Sequence, residues 1–556
     1  GALAIVALAR AHAPATVRSD VLDPAAITAR SPLTRRLFAE GLTRLYHESD
    51  PVEAARLFES ALREDSSCAM CAYAAARADV AVDMGLSRRL LRTAVRLSGR
   101  VSPVERLVIR QWWASLGNAP EHLALADSLA ARFPDDPEVV LARGGALEVE
   151  GRFADALACY ARLLREAPAV RGFTCPRCEA YAAVVRTYGA ADSIDAAVRA
   201  AQEWTRSEPR SAAAWMGLAS ALSLADRPDA ALAAVDAAEQ GEGRPGVGAD
   251  LLARAVLALR AERYAAADTA LGVVAANGTP VERQAALWWR AIGLRYRGRP
   301  REALALVQGP LRWSEGRGLA LAGYPHTLLE GQLLLESGRA RDAAALFRAL
   351  SVQREPEDSG MPGMIARKRA WALTHAGTAL AAAGDTGAVS ALADTVEREG
   401  RGSALARDHH LHDYLRGLVW AAGGEPDRAR AAFRRATLSR THGYTRPSLA
   451  EAQLLVATGR AREAIPLLTL TLRGELEASN LYVTRPELHE ALARAYEAVG
   501  RPDSAGMHWR AVANAWGAGE GGYGARADTA LVHLARYGPR TAPAGRARPR
   551  GGVRRP

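Results

Sequence analysis

Five cysteines and one short run of histidines are the residues of this 556-residue chain whose types and spacing bear on chemistry. The cysteines stand as Cys68-Ala-Met-Cys71, Cys175-Pro-Arg-Cys178 and a lone Cys159. Neither pair is followed by His, which excludes covalent c-type haem attachment. A zinc site shared by both pairs would have to bridge 107 residues of chain. In stacked helices packed at 8–10 Å that means roughly 25–30 Å, whereas zinc needs its thiolates at about 2.3 Å. A Cys-Pro-x-Cys turn that opens a helix does lower a thiol pKa, so Cys175 and Cys178 are the positions for a thiol-redox activity. The strand-helix-strand setting of a redox module is absent, however. The other readings are buried small residues or local disulfides within Cys68/Cys71 and Cys175/Cys178, and the latter would favour an oxidising compartment.

His409, His410 and His412 lie beside Asp408 and Asp413. On a helix, His409 and His412 share a face and Asp413 is one turn from His409, an arrangement able to hold a metal. No third ligand and no glutamate base at supporting spacing accompany them, so neither a metal nor a cofactor is expected. The chain also lacks a Gly-x-Ser-x-Gly nucleophile turn, a Gly-x-x-x-x-Gly-Lys phosphate loop and a His-Glu-x-x-His pair. Gly241-Glu-Gly-Arg-Pro-Gly-Val-Gly248 follows a helical stretch rather than a strand and reads as a connecting loop. A non-catalytic protein is the expectation.

Aromatic pairs point instead to recognition. Trp112-Trp113 and Trp288-Trp289 are adjacent on helices, about 100° apart, so both members of a pair cannot enter the same interhelical seam. One of each pair is a candidate to line a groove, with Arg290, Arg295 and Tyr296 beside the second pair. Tryptophan, tyrosine and arginine are the residues that most often anchor interfaces.

The elements that must position these residues are written in a repeated phrase. Gly151-Arg-Phe-Ala-Asp-Ala156, Gly298-Arg-Pro-Arg-Glu-Ala303, Gly338-Arg-Ala-Arg-Asp-Ala343, Gly459-Arg-Ala-Arg-Glu-Ala464 and Gly500-Arg-Pro-Asp-Ser-Ala505 are five versions of it. Seven residues before each turn glycine stands Gly144, Ala291, Gly331, Ala452 or Ala493, and nine after it stands Tyr160, Val307, Phe347, Leu468 or Trp509. Small residues let two helices approach, and the large one fills the space beside them. Degenerate copies sit at Gly424 and Asp226, fainter ones at Glu262, Ser49 and Gly384. From Asp226 onward the turns are separated by 36, 36, 40, 46, 40, 35 and 41 residues. A strict array would hold about 34, so several units carry longer connections.

The phrase, with Trp215, Leu218, Ala219, Leu222 and Ala231, and with Gly144, Ala156, Tyr160 and Pro168, resembles the tetratricopeptide repeat pattern. The resemblance covers roughly residues 32–537. It implies an all-α fold, a right-handed α-α superhelix of about 11–13 antiparallel helix pairs, with possible breaks near 241–248 or 355–363. Such a stack offers a concave surface to a protein or peptide partner, and the fold is otherwise nearly silent on function.

The ends carry separate expectations. Leu3-Ala-Ile-Val-Ala-Leu8 is apolar before Arg10, and residues 1–13 read as a truncated membrane helix or signal-peptide remnant followed by a linker over 14–31. Residues 538–556 hold six arginines and no acid, which leaves about +5 of the +11 net charge for the rest. This Arg/Pro/Gly tail is expected to be disordered. Nucleic acid is not an expected partner, and no small-molecule substrate is indicated. Lys368 is the one lysine among 72 basic residues, a bias toward Ala, Arg and Gly that suggests a high-GC bacterial genome. Ile27-Thr-Ala-Arg-Ser-Pro-Leu-Thr-Arg-Arg-Leu-Phe-Ala-Glu-Gly41, with Ala61–Met70 and Ala131–Pro137, resembles the repeat-containing C-terminal portions of large bacterial signalling proteins. That likeness implies the sensory or regulatory part of a membrane-associated system; an exported envelope protein serving assembly or substrate delivery is the alternative.

Overall fold

A computed structural model describes residues 27–46, 51–79, 84–166, 176–241, 247–311, 323–354, 358–442, 445–474 and 483–537. The apolar opening, most of the 14–31 linker and the 538–556 tail fall outside these. Among the described residues there are 27 α-helices and no strand. They form thirteen consecutive pairs, from Pro32–Tyr46 with Pro51–Glu64 to Arg485–Ala498 with Pro502–Trp516, and Gly522–Arg536 closes the stack. The architecture is the all-α superhelical repeat that the spacing predicts.

Helix starts follow from local chemistry. Proline opens many helices, among them Pro103, Pro137, Pro228, Pro280, Pro362 and Pro502, where its missing N–H costs nothing and its fixed φ suits the first turn. Ser102 with Glu105, Thr279 with Glu282 and Thr484 with Glu487 form reciprocal capping boxes that satisfy otherwise orphaned N–H groups. Within the repeated phrase, the arginine after the glycine pairs with the acid three residues on. Arg152 meets Asp155 at 2.8 Å, Arg339 meets Asp342 at 2.7 Å and Arg460 meets Glu463 at 2.7 Å. These pairs are exposed, so they bias the local turn and add little global stability.

Within a pair, the small-against-large rule holds closely. A β-carbon built on Gly144 would lie 2.4 Å from the Tyr160 ring, on Gly331 2.4 Å from Phe347, and on Gly417 2.5 Å from Phe433. Gly41 against Phe58, at 2.6 Å, repeats the arrangement, and Gly217 against Trp204, at 2.7 Å, carries it between the fifth and sixth pairs. The core is a ribbon along the stack, and it runs through both suspected breaks. Leu257 packs with Ala231 and Val235 across 241–248, and one cluster holds both Leu329 and Phe433 across 355–363.

The least expected feature is that successive superhelical turns touch. In the eleven pairs whose turn is described, the first helix ends in a left-handed residue: Gly at 151, 298, 338, 384, 424, 459 and 500, but Asn118, Asp192, Asp226 and Glu262 at four turns. Those four, with Gly151 and Gly298, meet segments far downstream. Asn118 accepts from the Ala404 N–H at 2.9 Å and donates to the Ser403 hydroxyl at 3.3 Å. Asp192 accepts from the backbone N–H groups of Arg440 and Thr441 and from the hydroxyls of Ser439 and Thr441, all within 3.0 Å. Glu262 faces Arg485 at 3.1 Å and His489 at 2.7 Å, with Asp226 3.8 Å from Arg485. The Gly298 carbonyl accepts from the Glu520 N–H at 2.8 Å, and Trp516 donates to the Tyr296 carbonyl at 3.1 Å. The sequence spacing marks Asp226 and Glu262 as faded glycines; the structure shows strained residues whose side chains hold the seam.

Gly298 and Gly338 separate the seam from the turn. Both have positive φ, 66° and 81°, so alanine at either costs about 1–2 kcal/mol in backbone strain. At Gly338 the new carbon meets nothing within 4 Å, whereas at Gly298 it would lie 2.7 Å from the Tyr523 Cβ. Gly298→Ala is expected to lose about 1–3 kcal/mol more than Gly338→Ala in urea unfolding. Equal losses would mean that the turns do not meet in solution.

Candidate partner-binding groove

The first helices of four successive pairs, Ala69–Asp79, Pro103–Leu116, Pro137–Val149 and Pro176–Ala190, enclose an open cavity of about 600 Å³. One wall is aromatic and apolar: Tyr73, Trp112, Val108, Leu116 and Leu141. Tyr73 and Trp112 meet edge to face, ring centroids 5.2 Å apart. The polar groups are Arg77, Gln111, Glu138, Glu179 and Arg186. Arg77 is paired with Glu138, Gln111 sits 3.2 Å from the His122 Nε2, and Arg186 grips Glu148 through two bonds of 2.8 and 2.9 Å. Volume, aromatic lining and a few placed polar groups suit a bound side chain or peptide segment.

The aromatic pairs divide as adjacent helical residues must. Trp112 lines the cavity, while Trp113 turns to the seam, where a β-carbon at Gly360 would come within 3.3 Å of its ring. Trp288 stacks on His326 at 5.3 Å, half-buried between the first helices of adjoining pairs, and Trp289 packs into the core on either side. Arg290 is half-buried. Arg295 and Tyr296 do not join a solvent-facing lining. Arg295 is 0% exposed and holds Glu336 at 2.7 Å, and Tyr296 is 1% exposed under the Trp516 contact. Burial works against the Arg295 charge, but the Glu336 carboxylate outweighs it and keeps the guanidinium protonated. A basic residue near a helix end reads as exposed in sequence; here the next superhelical turn covers it.

Residues 115–170 and 185–245 match the tetratricopeptide repeat family. The matched stretches span the second helix of the third pair through the fourth pair, and the second helix of the fifth through the sixth. No curated protein matches the sequence. Among solved structures, the chain is similar to the APC/C hetero-tetramer Cut9-Hcn1, with 13% identity, 92% of this chain and 99% of that chain covered, and a TM-score of 0.30. It is also similar to Naa15/Naa10 bound to HypK-THB, with 11% identity, coverage of 91% and 79%, and a TM-score of 0.22.

The stack of helix pairs also places the groups singled out for chemistry. Cys68 and Cys71 form a disulfide across the start of the Ala69–Asp79 helix, and both are fully buried. Cys178 is disulfide-bonded as well, and Cys175 lies outside the described residues. Burial pushes the Cys159 thiol up, with Arg143 opposing. The histidine run starts in a tight Ala406–His410 turn. His409 bonds the Ser403 carbonyl at 2.8 Å, and His410 and His412 flank Asp413, which Arg435 also holds at 2.8 Å. Asp408 is buried and accepts from Trp371 and Ser403. Sequence reasoning missed the more tightly coupled cluster. His489 bridges Glu262 at 2.7 Å and His508 at 2.8 Å across the seam, with Arg485 and Tyr496 beside it.

That cluster gives the seam a pH dependence. Burial works to raise the Glu262 carboxyl, but the His489 hydrogen bond and Arg485 overcome it and hold it at about 2. Burial, then repulsion by His489, lowers His508 from 6.5 to about 4. Both folded values lie below the unfolded ones, so the stability they contribute is present at higher pH and is lost on acidification. For His508 the window runs from pH 6.5 down to 4, and for Glu262 from 4.5 down to 2. Lowering the pH from 7 to 4.5 is expected to cost up to about 3 kcal/mol through His508, and His508→Gln should flatten that part of the urea-midpoint profile. An unchanged slope in the variant would show that His508 already titrates normally when folded.

Proposed function

We propose that this chain is a non-catalytic scaffold whose concave groove binds a segment of a protein or peptide partner. The observation that carries the reading is the open, aromatic cavity with half-buried Trp112 on its wall, framed by four first helices and overlapping the stretches that match tetratricopeptide repeats. Arg77 is paired with Glu138, Arg186 with Glu148 and Gln111 with His122, and Glu179 stands apart from them, so the polar groups are not gathered around one reacting position, which suits recognition better than catalysis. The partner system we propose is a membrane-associated bacterial signalling or transcription-control assembly, on the likeness of Ile27–Gly41 and the apolar Leu3–Leu8 noted above. A second reading, an exported envelope protein, is favoured by the Cys68–Cys71 disulfide and the oxidised Cys178, because cytosolic reductants keep such thiols reduced.

Two experiments test these readings. Peptides selected from a random display library on the full chain should lose about tenfold or more in affinity on Trp112→Ala and little on Trp420→Ala, which truncates a tryptophan outside the cavity. Failure to enrich any peptide, or binders indifferent to Trp112, would sink the groove. For the second reading, protein isolated from its host without reductant should resist alkylation at Cys68, Cys71 and Cys178; modified thiols there would place the chain in a reducing compartment.

A further inference from the structure

The charges of the cavity do not balance. Arg77 is neutralised by Glu138, and Arg186 by the bidentate Glu148 just outside the lining. Glu179 stands on the first turn of the Pro176–Ala190 helix, exposed to the cavity, with no hydrogen bond or ion pair to any described residue. The crowding of surrounding protein pushes its carboxyl up, with Arg77 opposing and Glu138 adding to the rise. An ionised acid so placed gains most from a cation that enters from outside, since Arg77, the arginine whose charge acts on it, is already engaged by Glu138. The same cavity is lined by the Tyr73 and Trp112 rings, and aromatic π faces attract the same charge.

We infer that the cavity is a recognition subsite for an arginine side chain, carried on an apolar partner segment, with Glu179 as its counter-ion and Tyr73 and Trp112 as its aromatic walls. The inference deepens the groove reading and rests on it. Arginine fits better than lysine because its planar guanidinium can meet a carboxylate edge and an aromatic face together, and because it sheds water more readily on entering a half-buried site. The apolar part of the partner would lie along Val108, Leu116 and Leu141.

The probe is a fluorescein-labelled nonapeptide of alternating leucine and arginine, set against the same peptide with citrulline in place of every arginine, titrated onto the full chain by anisotropy. The arginine peptide is expected to bind about tenfold tighter or more, with the difference shrinking as salt rises. Glu179→Gln should remove that preference, and Glu179→Arg should reverse it in favour of a leucine–glutamate peptide. Because Glu179 is exposed and has no partner among the described residues, both variants should keep the helical circular dichroism of the parent, which is checked first. Equal binding of arginine and citrulline peptides, or a preference that survives Glu179→Gln, overturns the subsite. If the citrulline peptide still binds and loses affinity on Trp112→Ala, the groove stands without it; if no peptide responds to Trp112, both fall.

Discussion

One backbone conformation, the left-handed residue that ends the first helix in all eleven pairs whose turn is described, carries the architecture. It reverses the chain within a few residues and so brings the small residue seven positions back against the large one nine positions on, as with Gly144 and Tyr160 about Gly151. Glycine adopts that conformation without steric penalty, whereas asparagine, aspartate and glutamate incur strain. The chain accepts the strain at Asn118, Asp192, Asp226 and Glu262, and at each of them the side chain or its carbonyl reaches a segment of the next superhelical turn. Where the turns face open space, at 338, 384, 424, 459 and 500, the residue is glycine. Turn chemistry and superhelical closure are thus two uses of one position.

The same geometry sorts the charges. Pairs at the surface of single repeats, such as Arg339 with Asp342, are solvated and weak. Pairs at the seam, or beneath it, are sheltered: Arg295 with Glu336 is almost wholly out of water, and Glu262 is held ionised by His489 and Arg485. Removing one partner from such a pair leaves a buried charge unanswered, so Arg295 with Glu336 fixes one repeat on the next, and Glu262 with His489 and Arg485 fixes one superhelical turn on the next. The cavity differs from both. It is lined mostly by first helices, open to solvent, and carries one carboxylate that has no partner among the described residues.

Much of this was legible in the sequence because it depends on contacts close along the chain. The interval from small residue to turn to large residue is fixed by helix geometry, so Gly331 and Phe347 or Ala493 and Trp509 announce themselves. The opposite fates of Trp112 and Trp113 follow from their angular separation alone. What was not legible depends on residues 200 or more positions apart, as when Asp192 meets Thr441 or Tyr296 lies under Trp516. Burial of Arg295 and the coupling of His489 to Glu262 are of that kind. A signal existed: Asp226 and Glu262 keep the spacing of the turn while abandoning its glycine, and a locally unfavourable residue at a constrained position implies a contact elsewhere that rewards it. Glu179 offered no such sign, because an unpaired acid on a helix looks like any solvated surface residue until its neighbours are in place.

Stacked repeats ordinarily behave as a row of units, each sensing only its neighbours, so that one end can fray while the other stays folded. Here the hydrogen bonds between Asp192 and Thr441, and between Gly298 and Glu520, tie units far apart in the row. A coil bound to itself in this way resists stretching and unwinding as a closed spring does, and its ends cannot separate without breaking those ties together.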